Sequence, residues 1–318
     1  MTAEVLTGKH AAGGNILPFW RAVYEIARKE VLIFARTKRL YIMGSLFAVG
    51  FIGLTLVFAN FVAEILGDAA DDIFGVVNLS EANAVMAFVL FFPILGAYFF
   101  LNLLGIVFTF DGVVREYEDK TLFLLLSRPV SRQAFVLGKF AGAGFTVAAI
   151  FLTLGSIAYL VAMLVMGDWA TPGDMLRYFL ALGIVTLGML ALAAMGLFFS
   201  AVARTTTMSM LASLGMWFIV LNLLASSGNI YALTQRDFTV ERPWYVLATQ
   251  YFNPTSSSGP AVKVMIGYDR FGADIPAEAF SFLGVLDLNV AASVSSLLGF
   301  LALFLGGTLL LVGRRNFE

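Results

Sequence analysis

Between Asp111 and Lys139, a sequence otherwise poor in charge gathers Glu116, Lys120, Arg128 and Arg132 around the apolar run Leu122 to Leu126. The run turns at Arg128-Pro129 and restarts at Ser131, a side chain suited to cap the N-terminus of a following helix. Residue types in this order make no catalytic set. They make a short apolar helix between charged flanks, which must bury its apolar face in a partner, in the chain's own helices or on a lipid surface. The catalytic alternatives fail on composition. Leu137-Gly138-Lys139-Phe140 lacks the first glycine and the hydroxyl of a GxxxxGK[ST] phosphate loop, the single His10 cannot supply HExxH, and there is no GxSxG elbow. Without cysteine, and with that one histidine, the chain offers no disulfide, no thiolate site and no histidine metal centre of its own, so no cofactor or metal is expected in it.

The elements that carry this stretch are membrane helices. The chain is 60% hydrophobic and 13% charged, with 31 Phe among its 318 residues, whereas a soluble domain is about 45–50% apolar and about 25% charged. Six apolar stretches are read: Leu40 to Leu66, Ala84 to Phe110, Phe140 to Met166, Met175 to Ala203, Met208 to Ser227 and Leu288 to Val312. Each is long enough at ~1.5 Å per residue to cross a ~30 Å hydrocarbon core. Backbone polar groups in that core must be satisfied internally, so the fold class is an all-α integral membrane protein with six transmembrane helices. The basic N-terminal 39 residues show no short apolar core followed by a cleavage site, and the first span is expected to act as an uncleaved insertion signal.

Charge sets the orientation. Of the 20 Lys and Arg, only Arg177, Arg236, Arg242, Lys263 and Arg270 fall on one side of a six-crossing topology, together with acids such as Asp68, Asp71, Asp72, Asp237, Glu241, Asp274 and Glu278. The positive-inside rule then places both termini and the 111–139 connection in the cytoplasm. This divides the chain into a tail and amphipathic helix over 1–39, spans one to five over 40–227, an extracytoplasmic loop over 228–287, and the sixth span with its tail over 288–318. In the N-terminal helix Trp20, Val23, Tyr24, Ala27, Val31 and Phe34 recur opposite Arg21, Glu25, Arg28 and Lys29. Such a helix lies in the membrane interface, with Trp20 and Tyr24 in lipid and Arg28 and Lys29 at the head groups, or else extends the first span.

The long loop, with Pro243, Pro254, Pro260 and Pro276 among aromatics, is expected to be partly folded and offers a surface to an extracytoplasmic partner. Glu64 and Arg177 are ionisable residues near span ends, not at mid-depth, which argues against an ion-coupled carrier. Asn60, Asn102, Ser156, Ser200, Ser213 and Asn222 suit either a path for an amphiphile or hydrogen bonding between helices, and Gly138 and Gly142 suit helix packing. A net charge of −1 gives no reason to expect nucleic acid as a partner.

The order acid, Lys120-Thr121, Leu-rich turn, Ser127-Arg128-Pro129, Ser131-Arg132 and later Lys139 resembles the hallmark between the second and third spans of ABC-2 type ABC transporter permeases. Ala27-Arg28-Lys29-Glu30, followed by further basic residues, is similar to that family's N-terminal helix, and the chain looks closest to the branch that includes the nitrous-oxide-reductase maturation permease. The resemblance implies two permease chains, as a homo- or heterodimer in the cell membrane, joined to two cytoplasmic ABC ATPase subunits that hold ATP and Mg. It implies an exporter that is not itself an enzyme, with Glu116, Lys120, Thr121, Leu125, Arg128, Pro129 and Arg132 meeting the ATPase. The long loop departs from the compact family pattern. The alternatives are a subunit that transmits force to an extracytoplasmic partner, a channel or secondary carrier, and a membrane enzyme.

Overall fold

The structure, a computed structural model, describes residues 18–73, 103–120, 131–166, 171–235, 243–261, 264 and 289–314, and these are helical with short turns. In chain order the helices are α1 (Phe19–Arg36), α2 (Lys38–Ile73), α3 (Val114–Glu118), α4 (Arg132–Met166), α5 (Pro172–Val202) and α6 (Thr206–Gly215). A π-helical turn, Met216–Leu221, joins α6 to α7 (Asn222–Gln235); α8 (Trp244–Phe252), α9 (Pro254–Ser258) and α10 (Val290–Arg314) follow.

Five of the described segments are long and apolar enough to cross a membrane: Leu40–Val57, Arg132–Val165, Pro172–Val202, Thr206–Leu224 and Val290–Arg314. They correspond to five of the six expected spans. Of the other, Ala84 to Phe110, only 103–110 are described, helical over 103–107; the rest lies outside the described residues. The third span begins at Arg132, ahead of the expected Phe140, and α7 carries the fifth beyond Ser227 to Gln235.

The centre of the bundle is α5. It is apolar on every side, so a helix like it must be covered all round, and Tyr178, Leu182, Val185, Met189, Leu192 and Met195 are all buried. Thr171 starts it by accepting a hydrogen bond from the Asp174 amide, and Pro172 fills the first helical position, where no amide hydrogen is needed. Residues 103–110 lie directly on α5, because a side chain on Gly105 would run into the Met189 carbonyl. Leu104 and Phe108 join a core with α2, α4 and α5, while Ile106 and Phe110 join a second core with Trp217, Leu221 and Phe300. Helices α2, α6 and α10 and the π turn keep large apolar side chains exposed, among them Val49, Val57, Leu211, Phe218, Leu303 and Leu310, as lipid-facing helices do.

The first helix is not loose on the surface. It packs along the start of α4, where Gly138 and Gly142 let the backbones approach: a Cβ on Gly138 would stand 2.6 Å from the Ile26 Cβ, and one on Gly142 would stand 2.7 Å from the Glu30 Cβ and 2.8 Å from the Ala27 carbonyl oxygen. Small residues four apart are a common way for membrane helices to gain close packing, since lipid supplies no hydrophobic drive for association. Phe34 closes the contact edge-to-face on Phe108, with ring centroids 5.1 Å apart. One extended residue, Thr37 (φ −89°, ψ 141°), separates α1 from α2, and its amide and hydroxyl both donate to the Phe34 carbonyl.

In the 228–287 stretch, α8 and α9 fold back against α5, α7 and α10. Asn253, Thr255, Ser256, Ser257 and Ser258 are buried, and their polar atoms go largely to local backbone. The Asn253 carbonyl oxygen caps α9 by accepting from the Thr255 amide at 2.9 Å, and its amide donates to the Leu221 carbonyl at 2.6 Å, at the end of the π turn. Ser257 and Ser296 both donate to the Tyr251 carbonyl, and the Asn289 amide donates to the Tyr251 hydroxyl at 2.8 Å.

Candidate coupling site

Arg132, Arg204 and Arg314 mark one end of the bundle, and there the Arg132 guanidinium donates to the Gly313 carbonyl at 3.2 Å. At this basic end the short helix α3 stands directly before residues 121–130. Its first amides need partners that a helix start cannot supply to itself. The buried Ser200 hydroxyl of α5 provides them, accepting from Val113 N at 2.9 Å and Val114 N at 3.1 Å. At the other end of α3 the Glu118 carboxylate accepts from the Thr206 amide at 3.0 Å and from the Thr206 hydroxyl, and so caps α6. Those two hydrogen bonds hold the exposed Glu118 carboxyl below its ordinary value. A lowered value means that the cap is present above the normal glutamate range and is lost only as pH falls through the lowered one. Ser209, one turn into α6, donates to the Phe110 carbonyl.

Beside this lies a charge cluster spanning three helices. Lys139 of α4 is only 6% exposed and bonds Glu30 of α1 at 2.9 Å and Glu116 of α3 at 3.0 Å. Lys29, at the exposed edge, reaches the same Glu116 oxygen at 3.5 Å. The Phe135 ring lies 5.3 Å from the Lys139 ammonium, on its own helix. Two carboxylates and two ammonium groups balance, which is the condition for keeping charge out of water; removing one member of a buried pair typically costs about 3–5 kcal/mol. What the cluster does chemically is hold: it offers no nucleophile, and among the described residues no group of three metal-ligating side chains is present.

Glu116, expected at an outer contact, is tied to Lys139 and Lys29 within its own chain. Lys120 ends α3 in the left-handed region, φ 55°, a position that helix C-termini usually give to glycine. Thr121, Leu125, Arg128 and Pro129 lie outside the described residues. In α1, Trp20 and Tyr24 are 75% and 63% exposed and Arg28 is exposed, whereas Val23 and Ala27 turn partly toward α4. Asn60, Ser156, Ser213 and Asn222 each hydrogen-bond a carbonyl of their own span, at Leu56, Leu152, Ser209 and Trp217, and Ser200 caps α3. Asn102 lies outside the described residues. Sequence reading missed the pairing of Glu30 with Lys139. The available signal was a carboxylate on the same helical face as Ala22, Ile26 and Phe34 and a lysine inside a segment of otherwise small and apolar residues.

Comparison with known proteins agrees with this architecture. Residues 24–315 match the family described as ABC-2 family transporter protein. The probable ABC transporter permease protein NosY of Stutzerimonas stutzeri is 30% identical over 279 residues, covering 81% of this chain and 89% of that protein. The protein of the same description from Pseudomonas aeruginosa is 29% identical over 289 residues, covering 86% of this chain and 95% of its own. With its membrane-spanning helices and a match over most of its length, this multi-pass cell-membrane chain belongs to the ABC-2 family of transporter proteins, as a membrane subunit of an ABC transporter.

Proposed function

We propose that the chain is the permease of an ATP-driven exporter, working as one of a pair of permeases and receiving motion from separate cytoplasmic ATPase subunits through residues 121–130. The observation that carries this reading is the way both flanks of that segment are built in. Before it, α3 is held by Ser200, by Thr206 through Glu118 and by Lys139 through Glu116; after it, α4 runs straight from Arg132 into the bundle. A push on such a segment reaches α1, α4, α5 and α6 at once. Both termini are then cytoplasmic, ATP and Mg belong to the partner, and the exposed Trp20, Tyr24 and Arg28 of α1 lie at the lipid head groups.

The test is association. Leu125→Ala removes an apolar side chain from the expected contact, and loss of a buried leucine costs about 2–5 kcal/mol in protein cores. ATPase binding is therefore expected to weaken by ~30-fold or more, with normal membrane insertion. Arg128→Glu is expected to weaken it less, as for a charge at a wet rim. Unchanged ATPase recovery with both variants contradicts the reading.

One feature favours a second reading, transmission of force to an extracytoplasmic partner. The continuous run α6, π turn and α7 is bonded at its start to Glu118 and beyond its middle to Asn253 of the α8–α9 turn. Motion at the basic end thus has a bonded route to the 243–261 hairpin with or without a solute path.

A further inference from the structure

The charge cluster does more than satisfy buried groups. Its members stand on either side of residues 121–130 in sequence, with Glu116 upstream on α3 and Lys139 downstream on α4. The Lys139 ammonium joins the two at 3.0 Å, so the described ends of the chain on either side of the segment are tied together. The same ammonium holds Glu30 at 2.9 Å, which adds α1 to form one base. Packing contributes, since Gly138 and Gly142 fix α1 to α4 and Phe34 of α1 meets Phe108 ahead of α3, and the charges tie α3 itself to α1 and α4, through Lys139 and through the longer Lys29 contact.

We infer that Lys139 is a positioning residue for the coupling segment: it pins the upstream flank to the downstream flank and to α1, so that the three move as one body when the segment is displaced. This rests on the reading of 121–130 as the ATPase contact. Lysine suits the role because a compact ammonium on a flexible stem can meet two carboxylates from different helices, while burial makes the loss of either contact unfavourable. Beyond the base, α1 meets the first span through the single extended residue Thr37, the point at which a rigid base would turn against α2.

The absence of cysteine makes the test direct. Paired spin labels are placed at Tyr24 on α1 and Tyr117 on α3, and in a second preparation at Tyr117 and Val49 on α2, all exposed positions. Distances are measured in the complex with its ATPase, without nucleotide and with ATP trapped. The parent chain is expected to show a Tyr24–Tyr117 distance that is narrow and the same in both states, while Tyr117–Val49 changes. Lys139→Gln is expected to broaden Tyr24–Tyr117 and make it nucleotide-dependent, and Lys139→Arg to restore the narrow distribution. If Lys139→Gln does not insert, Glu116→Gln, which leaves the Lys139–Glu30 bond in place, is expected to broaden the distance in the same way. A narrow, nucleotide-insensitive distance in the glutamine variant overturns the positioning role while leaving the ATPase contact standing. Failure of the parent chain to bring down any ATPase overturns the underlying reading and this role with it.

Discussion

A Gly142→Leu chain is expected to insert into the membrane and yet lose the docking of its first helix. The leucine side chain would start 2.7 Å from the Glu30 Cβ and 2.8 Å from the Ala27 carbonyl, and the second obstacle is backbone, which cannot rotate aside. Overpacking a close contact costs about 1–3 kcal/mol, and a backbone obstacle puts this case at the upper end. The better helix propensity of leucine returns at most about 1 kcal/mol. Displacing α1 also pulls Glu30 from Lys139, so the buried ammonium loses one of its two close partners and the total loss grows by a few kcal/mol. Ala22 is 3% exposed, so a cysteine there reports directly. Maleimide labelling should be slow in the Ala22→Cys chain and fast once Gly142→Leu is added, with Gly142→Ala between them. Equal protection in all three would show that α1 is held by something other than this approach.

An Asn253→Leu chain is expected to release the α8–α9 turn. The side chain is fully buried and makes two bonds that leucine cannot: it caps α9 by accepting from the Thr255 amide, and it donates to the Leu221 carbonyl at the end of the π turn. Loss of an N-cap costs about 1 kcal/mol, and loss of one buried hydrogen bond costs about 0.5–1.5 kcal/mol. The sum, about 1.5–2.5 kcal/mol, is large for a five-residue helix. Asn253→Asp keeps the cap acceptor but loses the donor to Leu221, and should fall between the parent and the leucine chain. Thermal unfolding in mild detergent measures the order, and a cysteine at the buried Ser257 should become reactive only in the destabilised chains. A leucine variant with the parent's midpoint would show that the turn does not depend on this amide.

The spans were legible because α5 and α10 are long apolar runs that no soluble fold requires. Their ends were less so. At Arg132 to Lys139 the helix carries charge because it stands at the bundle's end, where ion pairs replace lipid contact, and apolar periodicity alone places its start too late. The 111–139 connection stood out by its own residues, yet the internal anchoring of its two ends was not legible. Lys139 and Glu30 are 109 positions apart in the chain, and no local pattern reports which carboxylate a buried lysine will find. The burial of the α8–α9 turn was not legible either. Pro254 and the hydroxyls from Thr255 to Ser258 have the composition of an exposed loop, but these side chains hydrogen-bond backbone atoms nearby and so can be buried within the bundle.

In the proposed function this chain moves by another subunit's ATP hydrolysis. Purification from its native membrane in mild detergent, followed by identification of the bound chains and nucleotide titration of both the complex and the isolated chain, decides whether it does. The expected result is a co-purifying subunit with a phosphate-binding loop, nucleotide binding by the complex and none by the isolated chain. Saturable nucleotide binding by the isolated chain, or an intact assembly without such a subunit, would contradict it.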